Sequence, residues 1–194
     1  MLTAKGAATR ERIVAAAAEE IRINGVAGTT LDDVAARSRT SKGQIFHYFA
    51  GGKDELLVAV AQYEADRVLR DQQPHLGELD SWPAWQRWAD AVVDRYERQG
   101  PRCPLGVLLT EIGRSSAAAQ QVTTTLLHQW QDHVAAGVRR MQERGLVSTR
   151  FDPQRSAAAI IAGVQGGVVL LMTTGSSEHL RAALDASMVY LRSP

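Results

Sequence analysis

Lys42, Gly43, Gln44, His47 and Tyr48 lie in the stretch TSKGQIFHYFAGGKDEL, residues 40–56, at positions where a buried helix would carry aliphatic side chains. These groups recognise rather than react. A glutamine amide matches the donor and acceptor on an adenine edge, a lysine reaches guanine acceptors or a phosphate, and tyrosine and histidine donate to phosphate oxygens. Gly43 has no side chain to hold its backbone away from a surface. Thr30, Thr40 and Ser41 place hydroxyls at helix starts, where unpaired N–H groups attract anions, and Lys53 opens the next helix in the same manner. From Arg37 to Lys53 there are four cations (Arg37, Arg39, Lys42, Lys53) and no acid. The bland reading is a solvated face with helix caps; a cap and a phosphate contact are compatible roles for one hydroxyl.

The elements that must hold these residues are helices, because no segment alternates polar and apolar residues long enough to make a strand. A first helix spans about Thr9 to Asn24, with Ile13, Ala17 and Ile21 on one face and Gly25 at its end. Thr30 with Asp33, and Ser41 with Gln44, have capping-box spacing. They open two short helices separated by about three residues, the connection length of a helix-turn-helix whose second helix enters the DNA major groove. In that second helix Ile45, Phe46 and Phe49 are expected inward, leaving Lys42, Gly43, Gln44, His47 and Tyr48 outward.

The run TRERIVAAAAEEIRINGVAGTTLDDVAARSRTSKGQIFHYFAGGKDELL, Thr9 to Leu57, resembles the N-terminal domain of TetR-family transcriptional regulators. The resemblance rests on Arg12–Ile13, Gly25, the Thr29–Thr30 start, Val34–Ala35, Ser41 with Gly43, and IFHYF followed by lysine. Three departures stand out: Arg39 where glycine is common in the turn, Phe46 where tyrosine is common, and a connector, AGGK, one residue longer than usual. The resemblance implies an all-α homodimer. Its three-helix DNA-binding domain would occupy residues 1–53, and a helical effector-binding and dimerisation domain residues 54–194. Double-stranded DNA would be one partner and a small, largely apolar effector the other. No cofactor or metal is implied.

The rest of the chain fits that expectation. Ser81 and Pro83 open a helix bearing Trp85, Trp88, Ala89, Val92 and Tyr96 at three- and four-residue steps. Such a stripe serves as core or as a ligand cage; Trp85, Trp88, Tyr96, Leu108, Glu111 and Trp130 are the candidate effector residues. Glu111 stands out as a carboxylate among apolar neighbours that a cationic ligand would neutralise. Between Ser156 and Ser177 no side chain is charged. The length would cross a bilayer, but Gln165, the glycines and the lack of flanking basic clusters favour protein contact instead. Ile160, Gly163, Val164, Gly167, Leu184 and Met188 are the expected contacts between two such chains.

At 194 residues, 45% hydrophobic and 22% charged, with a net charge of +1, the chain has the composition of a folded protein without a global pull toward polyanions. One cysteine, Cys103, excludes an internal disulfide framework, and the start MLTAKGAATRER lacks a signal-peptide core, so a cytoplasmic location is expected. An enzyme is the weaker alternative: five histidines are scattered, and no phosphate loop or nucleophile–base spacing is present. A constitutive DNA-binding regulator without an effector is the other.

Overall fold

Thr3 starts the first helix by accepting the Gly6 N–H on Oγ1 at 3.1 Å, five residues before the start the sequence suggests. The structure, a computed structural model, describes residues 3–99 and 111–193, apart from the Arg114 side chain. Helix α1 runs Ala4–Gly28, and Gly25 (φ 72°, ψ 170°) breaks it where a stop was predicted, one turn before its end. The left-handed φ is why that position favours glycine. Helices α2, Leu31–Ser38, and α3, Lys42–Tyr48, follow, both with the predicted capping boxes formed. Between them Arg39 takes φ 53°, a conformation that costs a non-glycine residue some strain. Helix α4 is Lys53–Arg70 and a 3₁₀ turn covers His75–Glu78. Helix α5 is Trp82–Gln99, a second 3₁₀ turn is Ile112–Arg114, and α6 is Ala117–Glu143. Helix α7, Pro153–Thr174, starts at the Asp152 cap and ends at Gly175 (φ 75°); α8 is Glu178–Arg192.

The chain divides into two compact units. The first holds the described residues up to Val68 together with those of 104–125; the second holds those of 69–103 and 126–193. The expected boundary at 53/54 therefore falls too early. Leu56, Leu57, Val60, Ala61 and Ala65 of α4 are buried, and Glu64 of the same helix meets Arg22 of α1 at 3.1 Å. Those contacts make α4 part of the first unit's core as far as Val68.

That core is built around Ile13, Ala17 and Ile21 of α1, Val34 of α2, Ile45 of α3 and Val60 of α4, each at most 2% exposed. Leu31, at the start of α2, is only half-buried. In the second unit Trp85 and Trp88 of α5, with Leu126, Trp130, Val134 and Val138 of α6, form the interior. Helices α7 and α8 pack along one another, with Ile160, Val164, Val168 and Leu171 facing Leu180, Leu184, Met188 and Leu191. Helix α7 is long and apolar enough to cross a membrane by length and composition, and its buried face is the one turned to α8.

Candidate nucleic-acid interface

Ile45 and Phe49 are fully buried, and this fixes the rotation of α3. Lys42, Gly43, Gln44 and His47 consequently face solvent, while Tyr48 is half-buried with its ring edge-on to His47 at 5.0 Å. Phe46 corrects the expectation: it is 46% exposed and stands on the outer flank. With Ile45 and Phe49 inward at four-residue spacing, the intervening position points about 80° away from the core, so an aromatic residue there is carried outward regardless of its hydrophobicity. A Cβ on Gly43 would meet nothing nearer than Ser41 Oγ at 3.8 Å, so internal packing does not require that glycine.

Several of these polar groups already hold partners. Gln44 Oε1 accepts the Ser41 N–H at 3.1 Å, and Ser41 Oγ accepts the Gln44 N–H at 3.1 Å. Lys42 Nζ donates to Asp32 of α2 at 2.9 Å, an exposed pair of the sort that exchanges easily for another anion. Thr40 Oγ1 and Ser38 Oγ lie 2.7 Å apart. Thr30 Oγ1 donates to Asp33 Oδ2 at 2.6 Å while the Thr30 N–H donates to the same oxygen at 2.9 Å. Those two bonds hold the Asp33 carboxyl below the usual carboxylate range. On the opposite flank Arg10 lies over the Phe49 ring at 5.0 Å.

A set of long side chains that the sequence reading passed over keeps the helices in register. Arg12 Nε donates to the Ser38 carbonyl at the end of α2, 2.9 Å away, matching a cation to a helix C-terminus. Glu20 is buried and accepts from Arg37 of α2 at 2.5 Å and from Asn24 at 2.9 Å, and its carboxylate holds the Arg37 guanidinium above its ordinary value. Arg22 bridges Glu19 and Glu64. Lys53, expected at a phosphate, instead donates to the carbonyls of Val26 and Thr29 at 2.7 and 2.6 Å. Glu111, expected beside an effector, is exposed and accepts the Val26 N–H at 2.8 Å. An acid and a base thus grip the corner between α1 and α2. Pairs so far apart in the chain leave no local spacing to read.

The remaining candidates belong to the second unit. Trp85 and Trp88 sit edge to face at 5.9 Å, Trp88 Nε1 donates to Gln72 at 2.9 Å, and Tyr96 and Trp130 are buried. A crevice lined by Trp85, Trp88, Ala89, Ile160, Leu184, Ser187 and Met188 has no room for a water molecule, so these residues act as core there. Leu108 and Cys103 lie outside the described residues. His128 and Asp132 border a shallow polar depression with Gln131 and Gln154, where Gln154 Nε2 donates to Asp132 at 2.9 Å. Among the described residues no group of side chains is arranged to hold a metal.

The expected dimer residues need a larger correction. Ile160, Val164, Gly167, Leu184 and Met188 are buried within the chain, and a Cβ on Gly167 would come 2.4 Å from the Leu180 Cα. A Cβ on Gly163 would meet Ala183 at 3.3 Å. Gly167 thus admits α8 of the same chain, while Gly163 touches α8 and stays half-exposed. The face of α7 left open carries Ala162, Gly166, Val169 and Leu170, and α8 exposes Ala186, Val189 and Tyr190 beside it.

Residues 13–60 match the family of bacterial regulatory proteins of the tetR type, and residues 84–187 match the tetracyclin repressor-like C-terminal domain. An uncharacterised HTH-type transcriptional regulator of Mycobacterium tuberculosis is 31% identical over 110 residues, covering 54% of this chain and 53% of the relative, so the match spans about half of each. Among solved structures, a TetR transcriptional regulator from Chloroflexus aurantiacus is 26% identical with a TM-score of 0.80, covering 97% of this chain and 96% of the other. SmeT in complex with triclosan shares the fold at 21% identity, with a TM-score of 0.69 over 94% of this chain and 91% of the other; SmeT represses a multidrug efflux pump of Stenotrophomonas maltophilia. The capping boxes, the buried Ile45 and Phe49, and these matches over both halves converge: the chain belongs to the TetR family of helix-turn-helix transcriptional regulators.

Proposed function

We propose that this regulator is a ligand-responsive repressor that binds an approximately palindromic operator as a homodimer and leaves it when a small effector binds. The observation that carries the DNA-binding part is the outward set Lys42, Gly43, Gln44 and His47 on a helix whose opposite face is anchored by Ile45 and Phe49. Thr30, Thr40 and Ser41 flank it at helix starts and are the phosphate contacts, with Tyr48 at the rim. Lys53 contributes charge to the same side while tying down the α1–α2 corner. Gln44 can donate to a base from its amide nitrogen without leaving its cap, and a paired contact to adenine would use the second lone pair of the Oε1 that already accepts the Ser41 N–H.

Two copies of the reading helix give the discrimination that one lacks, since half-sites spaced by a helical turn multiply their affinities. Ala162, Gly166, Val169 and Leu170 of α7, with Ala186 and Val189 of α8, form the twofold contact. A Cβ at Gly166 would meet no atom within 4 Å, leaving that position open to a second helix. An effector acts by its differential affinity for the two shapes of the dimer, and DNA opposes it to the same extent. The fold shared with SmeT, whose structure contains triclosan, supports an effector-binding second unit. The test is selection of bound duplexes from a random pool at low ionic strength, then sedimentation of the complex. Enrichment of an inverted repeat by a dimer is expected; failure to retain any duplex would overturn the reading.

A further inference from the structure

Arg39 stands at the turn between α2 and α3 with φ 53° and ψ 46°, a left-handed conformation that glycine or asparagine takes far more readily. An arginine there is strained. Of the four cations between residues 37 and 53, three are committed within the chain: Arg37 to Glu20, Lys42 to Asp32, and Lys53 to the carbonyls of Val26 and Thr29. Arg39 is exposed, and among the described residues its guanidinium meets no acceptor. Nor does the end of α2 require it, because Arg12 Nε already serves the Ser38 carbonyl and Arg37 lies in the last turn.

The backbone of the turn has no donors left for an anion. Arg39 and Thr40 give their N–H groups to the carbonyls of Ala36 and Ala35, at 3.3 and 3.0 Å, and Ser41 gives its N–H to Gln44 Oε1 at 3.1 Å. From Arg39 to Ser41 the sole positive charge is therefore the Arg39 guanidinium. Ser41 caps the reading helix two residues further on, which places this cation beside the helix end whose residues lead into the groove. A strained residue kept where no internal contact needs it points to a role outside the chain. A guanidinium offers a phosphate two donors as well as charge.

We infer that Arg39 is a DNA-backbone contact: its guanidinium holds a phosphate of the strand that passes the α2–α3 turn, adding affinity without base preference. This rests on the DNA-binding reading above and extends it to a residue outside the reading face. Glycine, common at this place in the family, would relax the turn and give up the contact.

The experiment compares the full-length wild type with Arg39→Asn, Arg39→Gly and Arg39→Lys. Each is titrated across a salt series with the duplex selected by the wild type and with an unrelated duplex, and each is unfolded in urea. Asparagine and glycine both accept the left-handed backbone, so neither variant should unfold at lower urea than the wild type. Both should bind either duplex roughly tenfold more weakly, the scale of hydrogen bonds to a charged group. Each should also lose about one unit of salt slope per subunit. Arg39→Lys keeps the charge and should keep the slope with most of the affinity. Asparagine separates contact from flexibility, since it does not loosen the turn as glycine does. Unchanged affinity in Arg39→Asn, weaker binding with an unchanged slope, or a loss confined to the selected duplex would each overturn the backbone contact. So would a loss in Arg39→Lys as large as that in Arg39→Asn. If the wild type retains neither duplex, the DNA-binding reading falls and the contact with it; a binding wild type with unaffected variants sinks Arg39 alone.

Discussion

The two faces of α3 and the two faces of α7 were resolved in opposite ways. In α3 two buried apolar residues four apart, Ile45 and Phe49, define one inner side, and everything polar is forced to the other. In α7 nearly every position is apolar or small, so composition names no inner side; the choice was made by Leu180 and Ala183 of α8, which approach Gly167 and Gly163. A face is legible when its residues differ chemically from the opposite face. When they do not, only the neighbour's shape decides it.

The sharpest way to break this contrast is at adjacent glycines of α7. Gly167→Leu should cost about 3 kcal/mol or more, because its Cβ would collide with backbone that cannot yield. Gly166→Leu should leave the stability of the isolated chain within about 1 kcal/mol but shift sedimentation from dimer to monomer. Equal melting temperatures for both variants would mean the face assignment is inverted. In α3 the corresponding probe is Ile45→Ala, expected to cost about 2–4 kcal/mol by urea unfolding, whereas His47→Ala should lose operator affinity with no change in midpoint.

Lys53→Ala ranks next. It removes two bonds from a charged donor to backbone carbonyls, so about 1.5–3 kcal/mol of stability should go, along with a uniform loss of affinity for all duplexes. Unchanged thermal melting would show that the corner does not need the lysine. Gln44→Ala should cost about 1 kcal/mol through the cap and relax base preference at one position per half-site, read by repeating the selection with the variant.

The smallest effect concerns pH. Asp33 has a folded pKa lowered by its bonds from Thr30, so its contribution is present above the unfolded carboxylate value and lost as pH falls through the lower folded one. Acid unfolding of Asp33→Asn should lack that component below about pH 4. Identical acid profiles for wild type and variant would remove Asp33 from consideration. Arg37 is shifted upward and stays charged across the accessible range, so no such dependence arises from it.

What could be read in advance follows the distance over which the cause acts. Both capping boxes and the stop at Gly25 lie within four residues of the groups they satisfy, and all were visible as spacing. Phe46 points outward because its angle about α3, and not its hydrophobicity, sets its direction. Arg95, on the aromatic stripe of α5, reads in sequence as the edge of a solvated face, and only its burial shows otherwise.

For this protein the amino-acid sequence alone determined the helices, their caps, the helix-turn-helix and the polar face of α3, since each arises from backbone hydrogen bonding and a 3.6-residue period acting locally. Tertiary structure alone decided which side of α7 is covered, that Lys53 and Glu111 clamp the α1–α2 corner, and that Arg95 is left with donors to spare. Those outcomes depend on residues tens of positions apart meeting at distances of a few ångströms, and no local pattern encodes such a meeting.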